Sequence, residues 1–352
     1  MKKIIKILLI TSVIVFCMSF LSCSKKDDER GEEESVLITV GFSQLGAESD
    51  WRVANTESIT RSLTRENGFE LMFDDAQQKQ DKQFIAIRNF TQQEVDCIVL
   101  APVTETGWDT VLTEAKNAKI PVVVVDRRVK VNDENLITAW VGSDFAKEAK
   151  IACEWLKEYT EKKGIKGEEL KIVDIQGTLG ATAQIGRTNG LKAACDNYGW
   201  QLLAAEPADY TRLKGKEVMQ ELLKKFPEVN VVYCENDNEA AGAIEAIEEA
   251  GKKPGTDIQN GEILIISFDA AKTGLELVLQ GKIALDVECN PLQGDEVAKI
   301  IKVVKNGEKF QKYTYVIEKA FSLEKDIENV TIGDNTYDIE YLTPEIMAER
   351  EY

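Results

Sequence analysis

"IPVVVVDRR", residues 120–128, decides how the rest of the chain is read. Four consecutive valines leave no polar face, so the segment suits a strand buried on both sides, as in a parallel sheet covered by helices. It runs directly into Asp126 and Arg127, a carboxylate and a guanidinium at the carboxyl end of the strand. In open parallel sheets ligands bind outside that end, because the loops diverge there and helix N-termini point their N–H groups inward. What matters next is whether other strands deliver similar side chains.

Outward from this segment, short β-branched runs alternate with longer amphipathic stretches. Strands are expected over 36–42, 69–73, 95–100 and 120–125, with helices over 56–66, 82–92 and 106–118. A second series has strands over 170–175, 201–205, 229–234, 263–268 and 283–287, with helices over 181–198, 214–226 and 240–250. The join falls near 139–143, where a strand beginning at Leu136 leads into the helix "DFAKEAKIACEWLKEY". After Asn290 and Pro291 come a helix over 294–304 and a strand over 313–317. The fold class is α/β: two Rossmann-like lobes with parallel sheets flanked by helices. Residues 319–352, polar and acidic, are expected as a C-terminal surface tail.

The other strand ends repeat the pattern. "VNVVYCENDNEA" delivers Asn236 and Asp237, "ILIISFDA" delivers Asp269, and "IALDVECNP" adds Glu288. Any one of these could cap the next helix; recurrence in both series argues for a shared site, with Asp237 alone assigned to a cap. Between the first strand and first helix lie Glu48, Ser49, Asp50, Trp51 and Arg52. The charged neighbours of Trp51 predict an exposed aromatic platform whose face packs against the C–H surface of a sugar ring. Arg52, Arg127 and Arg187 alone would suit an anion, but Glu48, Asp126, Asp269 and Glu288 balance them. A neutral ligand with many hydroxyls, each donating to an acid and accepting from an arginine, fits that mixture. The glycine-rich "QGTLGATAQIGR" lacks the GK[ST] of a nucleotide loop, and no cofactor is expected.

Composition narrows the classes. The chain has 352 residues, 43% hydrophobic and 30% charged, enough for about two domains. It contains no histidine, which removes the commonest general base and metal ligand. Its net charge of −18 opposes a nucleic-acid partner. Lys2, Lys3 and Lys6 precede an apolar run over 7–21, shorter than the ~20 residues that span a bilayer, so residues 1–22 are expected as a signal peptide. Cys23 follows Phe20, Leu21 and Ser22 as in a lipobox, with Phe20 in place of the usual aliphatic residue. Acylation at Cys23 is expected, with 23–35 as a charged lipoprotein tether; plain signal cleavage is the alternative. The five later cysteines contain no CxxC pair, so neither a zinc site nor a disulfide framework is expected.

Several segments together resemble the type I periplasmic sugar-binding proteins of ABC transporters, the ribose and galactose-binding family, and within it the galactofuranose-binding members. They are "GFSQLGAESDWR", "AQQKQDKQ", "APVTETGW", "IPVVVVDR", "QGTLGATAQIGR" and "KGKEVMQ", in the same order as in that family. The resemblance covers roughly 36–304. It implies a cleft between two lobes joined by a three-crossing hinge, with 36–139 plus 291–318 facing 143–288. It also implies that Asp126 and Arg127 grip ring hydroxyls from the first lobe, and Arg187, Asn236 and Asp269 from the second. Gln78 falls where the family often has an amide. Glu288 and Cys289 lie where ribose binders carry a glutamine near the hinge.

The expectation is then an exported, monomeric solute-binding lipoprotein, not an enzyme, held to the membrane only by its lipid. It captures a neutral monosaccharide, galactofuranose-like or a related aldose, and delivers it to an ABC permease. One alternative is a lipoprotein presenting bound sugar to a receptor. Another is a glycoside hydrolase, whose chemistry needs only paired carboxylates; against it, acids set among arginines are held ionised, whereas a general acid needs a raised pKa.

Overall fold

The computed structural model describes residues 36–352. The expected signal segment, Cys23 and the tether lie outside the described residues.

The chain opens with β1 (Ile38–Gln44), α1 (Asp50–Ser62), β2 (Phe69–Asp75), α2 (Gln80–Gln92), β3 (Cys97–Leu100), α3 (Asp109–Asn117), β4 (Val122–Val125) and β5 (Ala139–Gly142). These strands pair in parallel, and β3, β4 and β5 are buried at every position, as the valine run requires. A first crossing leads to α4 (Phe145–Lys162), followed by β6 (Lys171–Gln176), α5 (Thr182–Tyr198), β7 (Gln201–Pro207), α6 (Arg212–Lys225) and β8 (Val231–Cys234). Then come α7 (Asp237–Glu249), the short β9 (Lys253–Pro254), β10 (Glu262–Asp269), α8 (Lys272–Leu279) and β11 (Leu285–Glu288). A second crossing returns the chain to α9 (Gly294–Lys305) and β12 (Tyr313–Tyr315), which pairs with β5. The first sheet therefore has the order β12-β5-β4-β3-β1-β2.

A third crossing carries the chain back to β13 (Ala320–Ser322), antiparallel to β11. The hairpin β14 (Asn329–Ile332) and β15 (Asn335–Asp338), then β16 (Glu340–Tyr341) and α10 (Pro344–Ala348), complete the described chain. The second sheet runs β16-β13-β11-β10-β8-β6-β7. The fold is thus two parallel α/β lobes joined by three crossings.

Two local expectations are corrected. Residues 319–352 are not a mere surface tail: Phe321, Ile327, Val330 and Leu342 are buried, and β13 covers the edge that β11 would otherwise expose. Their apolar residues stand singly among acids and show no periodicity in sequence. Helix α1 begins at Asp50, six residues before the expected start, because the Ser49 hydroxyl accepts from the Arg52 N–H and caps it. That earlier start places Trp51 and Arg52 in the first helical turn.

Each sheet is packed on both faces by apolar clusters. Cys97, Cys153, Cys195, Cys234 and Cys289 are all buried and unpaired, so they serve as small apolar residues. Burial pushes the Cys97 thiol up to about 12.

Helix α9 lies against α1 so closely that a Cβ on Gly294 would stand 2.1 Å from the Ser58 carbonyl oxygen and 2.7 Å from the Ser62 hydroxyl. Gly294→Ala is expected to destabilise the protein by about 1–3 kcal/mol through overpacking. Urea unfolding with an unchanged midpoint would contradict that close approach.

Candidate ligand-binding site

A small cavity lies at the carboxyl ends of the two sheets. Glu48, Ser49, Trp51, Arg52, Asp126 and Arg127 line it from the first lobe. Phe145, Ala183, Arg187, Tyr210, Asn236 and Asp269 line it from the second, with Cys289 at the second crossing. In each sheet the strand order reverses at this point, β1 standing between β2 and β3, and β6 between β7 and β8. Such switch points leave a crevice.

Local backbone geometry aims the acids. Asp126 follows the last residue of β4 with φ 62°, and Asp269 ends β10 with φ 101°. Non-glycine residues in that region cost on the order of 1–3 kcal/mol, and such strain is concentrated at ligand sites. Both carboxylates leave their strands by the same abrupt turn, one in each lobe.

Three guanidinium groups are the other half of the lining. Arg52 Nη2 donates to Asp126 Oδ2 at 2.5 Å and Arg52 Nε to Glu48 Oε1 at 3.1 Å. Arg127 Nη1 donates to the Val103 carbonyl at 2.8 Å, and its Nη2 lies 3.6 Å from Glu48. Arg187 donates to Glu148 Oε2 through Nε at 3.0 Å and Nη2 at 2.8 Å, and to Asp269 Oδ1 at 3.3 Å. Each guanidinium also lies over an aromatic ring: Arg52 on Trp51 at 4.6 Å, Arg127 on Tyr210 at 5.2 Å and Arg187 on Phe145 at 5.6 Å.

Burial opposes the charge of Arg52, but Asp126 and Glu48 outweigh it and raise its pKa. Arg187 behaves likewise, burial being overcome by Glu148 and Asp269. Asp269 departs from the expectation that arginines hold every acid ionised: burial pushes it well above the usual carboxylate range, with Arg187 pulling the other way. Three acids and three arginines line the cavity, a balance suited to an uncharged polar ligand. Glu48 Oε2, Arg52 Nη1 and Tyr210 Oη are buried without a hydrogen-bond partner in the protein, so acceptor and donor atoms of both kinds remain for hydroxyl groups.

The lobes are closed over this cavity. The Thr273 hydroxyl donates to Asp50 at 2.6 Å, the Asp50 N–H to Asn238 at 3.2 Å, and the Arg128 N–H to Thr182 at 2.9 Å. Trp51 Nε1 donates to the Cys289 carbonyl.

Several sequence expectations are corrected by these positions. Trp51 is not an exposed platform; it is 3% exposed and packs with Phe145, Ala181, Ala183, Tyr210 and Cys289, one side facing the cavity. Its charged sequence neighbours misled because Arg52 is itself buried over the indole and the Glu48 side chain is buried with it, while only Asp50 turns to the rim. Asp50 lies outside the cavity, bridging the lobes at the rim. Gln78 is also outside, half-buried in a left-handed turn over Gly46. Glu288 faces the last residues of the chain, accepting from the Lys319 N–H at 2.8 Å and pairing with Arg350 at 2.5 Å. Asn236, rather than Asp237, caps α7, its side chain accepting from the Glu239 N–H at 2.8 Å. Asp237 is buried and accepts from the Ser267 hydroxyl and the Ala271 N–H. Sequence reasoning missed Phe145, Ala183 and Tyr210, and named Cys289 only beside Glu288 at the hinge. Two of the missed residues carried a signal, since Phe145 opens the helix after the first crossing and Tyr210 immediately precedes the N-cap Thr211.

Residues 40–309 match the family described as periplasmic binding protein domain. The chain belongs to that family. It is 38% identical to the galactofuranose-binding protein YtfQ of Escherichia coli over 282 residues, 79% of this chain and 85% of the relative. A Mycobacterium smegmatis protein solved in complex with β-D-fucofuranose superposes with a TM-score of 0.76 at 42% identity, covering 81% of this chain and 91% of that one. The binding protein of an arabinose ABC transporter from Shewanella sp. ANA-3, bound to α- and β-L-arabinofuranose, gives 0.74 at 40% identity, with 81% and 91% covered. The first and third of these are named as binding proteins.

Arg187→Ala leaves Glu148 and Asp269 buried without their cation and is expected to cost about 3–5 kcal/mol of stability. Denaturant unfolding that moves by less than 1 kcal/mol, roughly the value of an exposed pair, would show that the guanidinium is not structurally required.

Proposed function

We propose that this protein captures one neutral monosaccharide in its furanose form between the two lobes and presents the closed complex to an ABC permease. The observation that carries this reading is the cavity itself, enclosed between the two sheets and lined by acids and arginines that already pair with one another. The furanose preference rests on the sugars named for the similar proteins. Asp126, Arg127 and Glu48 serve ring and exocyclic hydroxyls from one side, Asp269, Asn236 and Arg187 from the other, while Trp51, Phe145 and Tyr210 supply apolar walls for C–H faces. Sugar binds one lobe first, and hinge closure adds the contacts of the second, so the ligand selects the form a permease recognises. Residues 1–22 direct export, and acylated Cys23 holds the protein at the membrane surface as a monomer.

Calorimetry across pentoses and hexoses of both ring sizes tests the reading. A furanose ligand is expected to bind at roughly micromolar Kd, about −8 kcal/mol, and to be recovered unchanged. No heat with any sugar, or turnover of a galactoside, would overturn it. Asp126→Ala removes charge-assisted hydrogen bonds worth about 1.5–3 kcal/mol, a loss of roughly 10- to 150-fold in affinity. Glu288→Gln, away from the cavity, is expected to leave affinity unchanged.

A further inference from the structure

Behind Arg187, on the side away from the cavity, the three crossings converge on an unusual group. Glu148 stands one turn into α4 after the first crossing, Cys289 lies on the second, and Glu318 lies on the third. Their acidic atoms all lie within 4.8 Å of one another. The side chains of Glu148 and Glu318 are 0% and 4% exposed. Glu148 Oε2 takes both donors of Arg187, but its Oε1 has no hydrogen-bond partner, and neither has either oxygen of Glu318.

Two buried carboxylates cannot both remain ionised at such a separation without strong opposing charge. The groups facing them are Arg187 on α5, Lys147 on α4, Cys289 and Ser143 on two of the crossings, Asp269 through Arg187, and along the groove Lys319, Tyr337, Asp338 and Glu340, of which Lys319 pairs with Glu340 at 2.8 Å. Arg187 is already shared between Glu148 and Asp269. Lys147 reaches only Glu318, at 3.5 Å, and is itself partly exposed. Ser143 Oγ lies 3.2 Å from Cys289 Sγ. Burial pushes both carboxyls up, Arg187 opposing for Glu148, and the neighbouring Glu148 adding to the effect for Glu318. A groove lined by Lys147, Glu148, Glu318 and Tyr337 reaches the pair from the surface and allows proton exchange.

We propose that Glu148 and Glu318 share a single proton across the hinge in the closed form, and that this bridged pair positions Arg187 for the ligand. Glu148 is a positioning residue: it touches Arg187, not the cavity. Opening the hinge separates the third crossing from α4 and admits water, so the proton is released. Closure on a sugar then takes up about one proton. The sign follows from linkage: the pair binds its proton more tightly in the closed form, so affinity is highest at acid pH and falls as pH rises through the interval between the open- and closed-form values. This coupling rests on the sugar-binding reading, but the carboxyl pair does not.

Two measurements test it. Calorimetry of the intact protein with a furanose sugar, in buffers of different ionisation enthalpy, is expected to report uptake of about one proton per sugar and a loss of up to about tenfold in affinity per pH unit within that interval. Glu318→Gln supplies an amide donor to Glu148 without a titrating group; it is expected to retain affinity while taking up about one proton fewer per sugar than the wild-type protein, with a correspondingly weaker pH dependence. Glu318→Ala is expected to lose affinity. The second measurement is the infrared difference spectrum at neutral pH between the wild-type protein and Glu318→Gln: a protonated-carboxyl band is expected with saturating sugar and not without it. Absence of any sugar heat defeats the functional reading and the coupling with it; sugar heat without such a band defeats the pair alone. Zero proton uptake on binding, uptake undiminished in Glu318→Gln, or a sugar-bound difference spectrum without a protonated-carboxyl band would overturn the proposal.

Discussion

The structure depends on keeping three guanidinium groups ionised in places that water scarcely reaches. Arg52, Arg127 and Arg187 are each about 2% exposed. Isolated charges there would cost several kcal/mol each. The chain meets this constraint twice over, with carboxylates beside the groups and aromatic rings over them. Two of the carboxylates, Asp126 and Asp269, come from strand ends, so the pairing requires both sheets to present their carboxyl edges to one crevice. Arg52 joins the first turn of α1 to the end of β4 through Asp126, and Arg187 joins α5 to the end of β10 through Asp269.

That arrangement also explains why a neutral ligand suits the cavity. The ionic partners already compensate one another, so a charged molecule would leave an unpaired charge in a site of low dielectric. A hydroxyl adds a donor and an acceptor without disturbing the balance. Closure brings the two halves of this network together. The hinge is coupled to it directly, because the Arg187 partner Glu148 sits beside the third crossing.

Much of this was legible in the sequence, for reasons that also mark its limits. The β3, β4 and β8 strands read clearly because burial on both faces leaves uninterrupted apolar runs, and such runs make the polar residue that follows conspicuous. Asp126, Asn236 and Asp269 were found that way. Glu288 ends a strand too, but β11 gained a neighbour in β13, and the last residues of the chain claimed its carboxylate. Nothing local to Glu288 announces a partner at Arg350. Trp51 was misjudged because helical phase, set by the cap at Ser49, decides which way an indole points more than the charge of its neighbours does. Tyr210 sits in a loop and Phe145 at the first position of α4, where no periodicity distinguishes a lining side chain from a packing one.

The central claim is that the lobes shut around an uncharged sugar. Small-angle X-ray scattering of the purified protein with and without saturating furanose sugar tests it most directly. A smaller radius of gyration with sugar, matching the closed structure, and a larger one without it is the expected result. Identical scattering in both conditions, with calorimetry showing the sugar bound, would contradict closure as the basis of recognition.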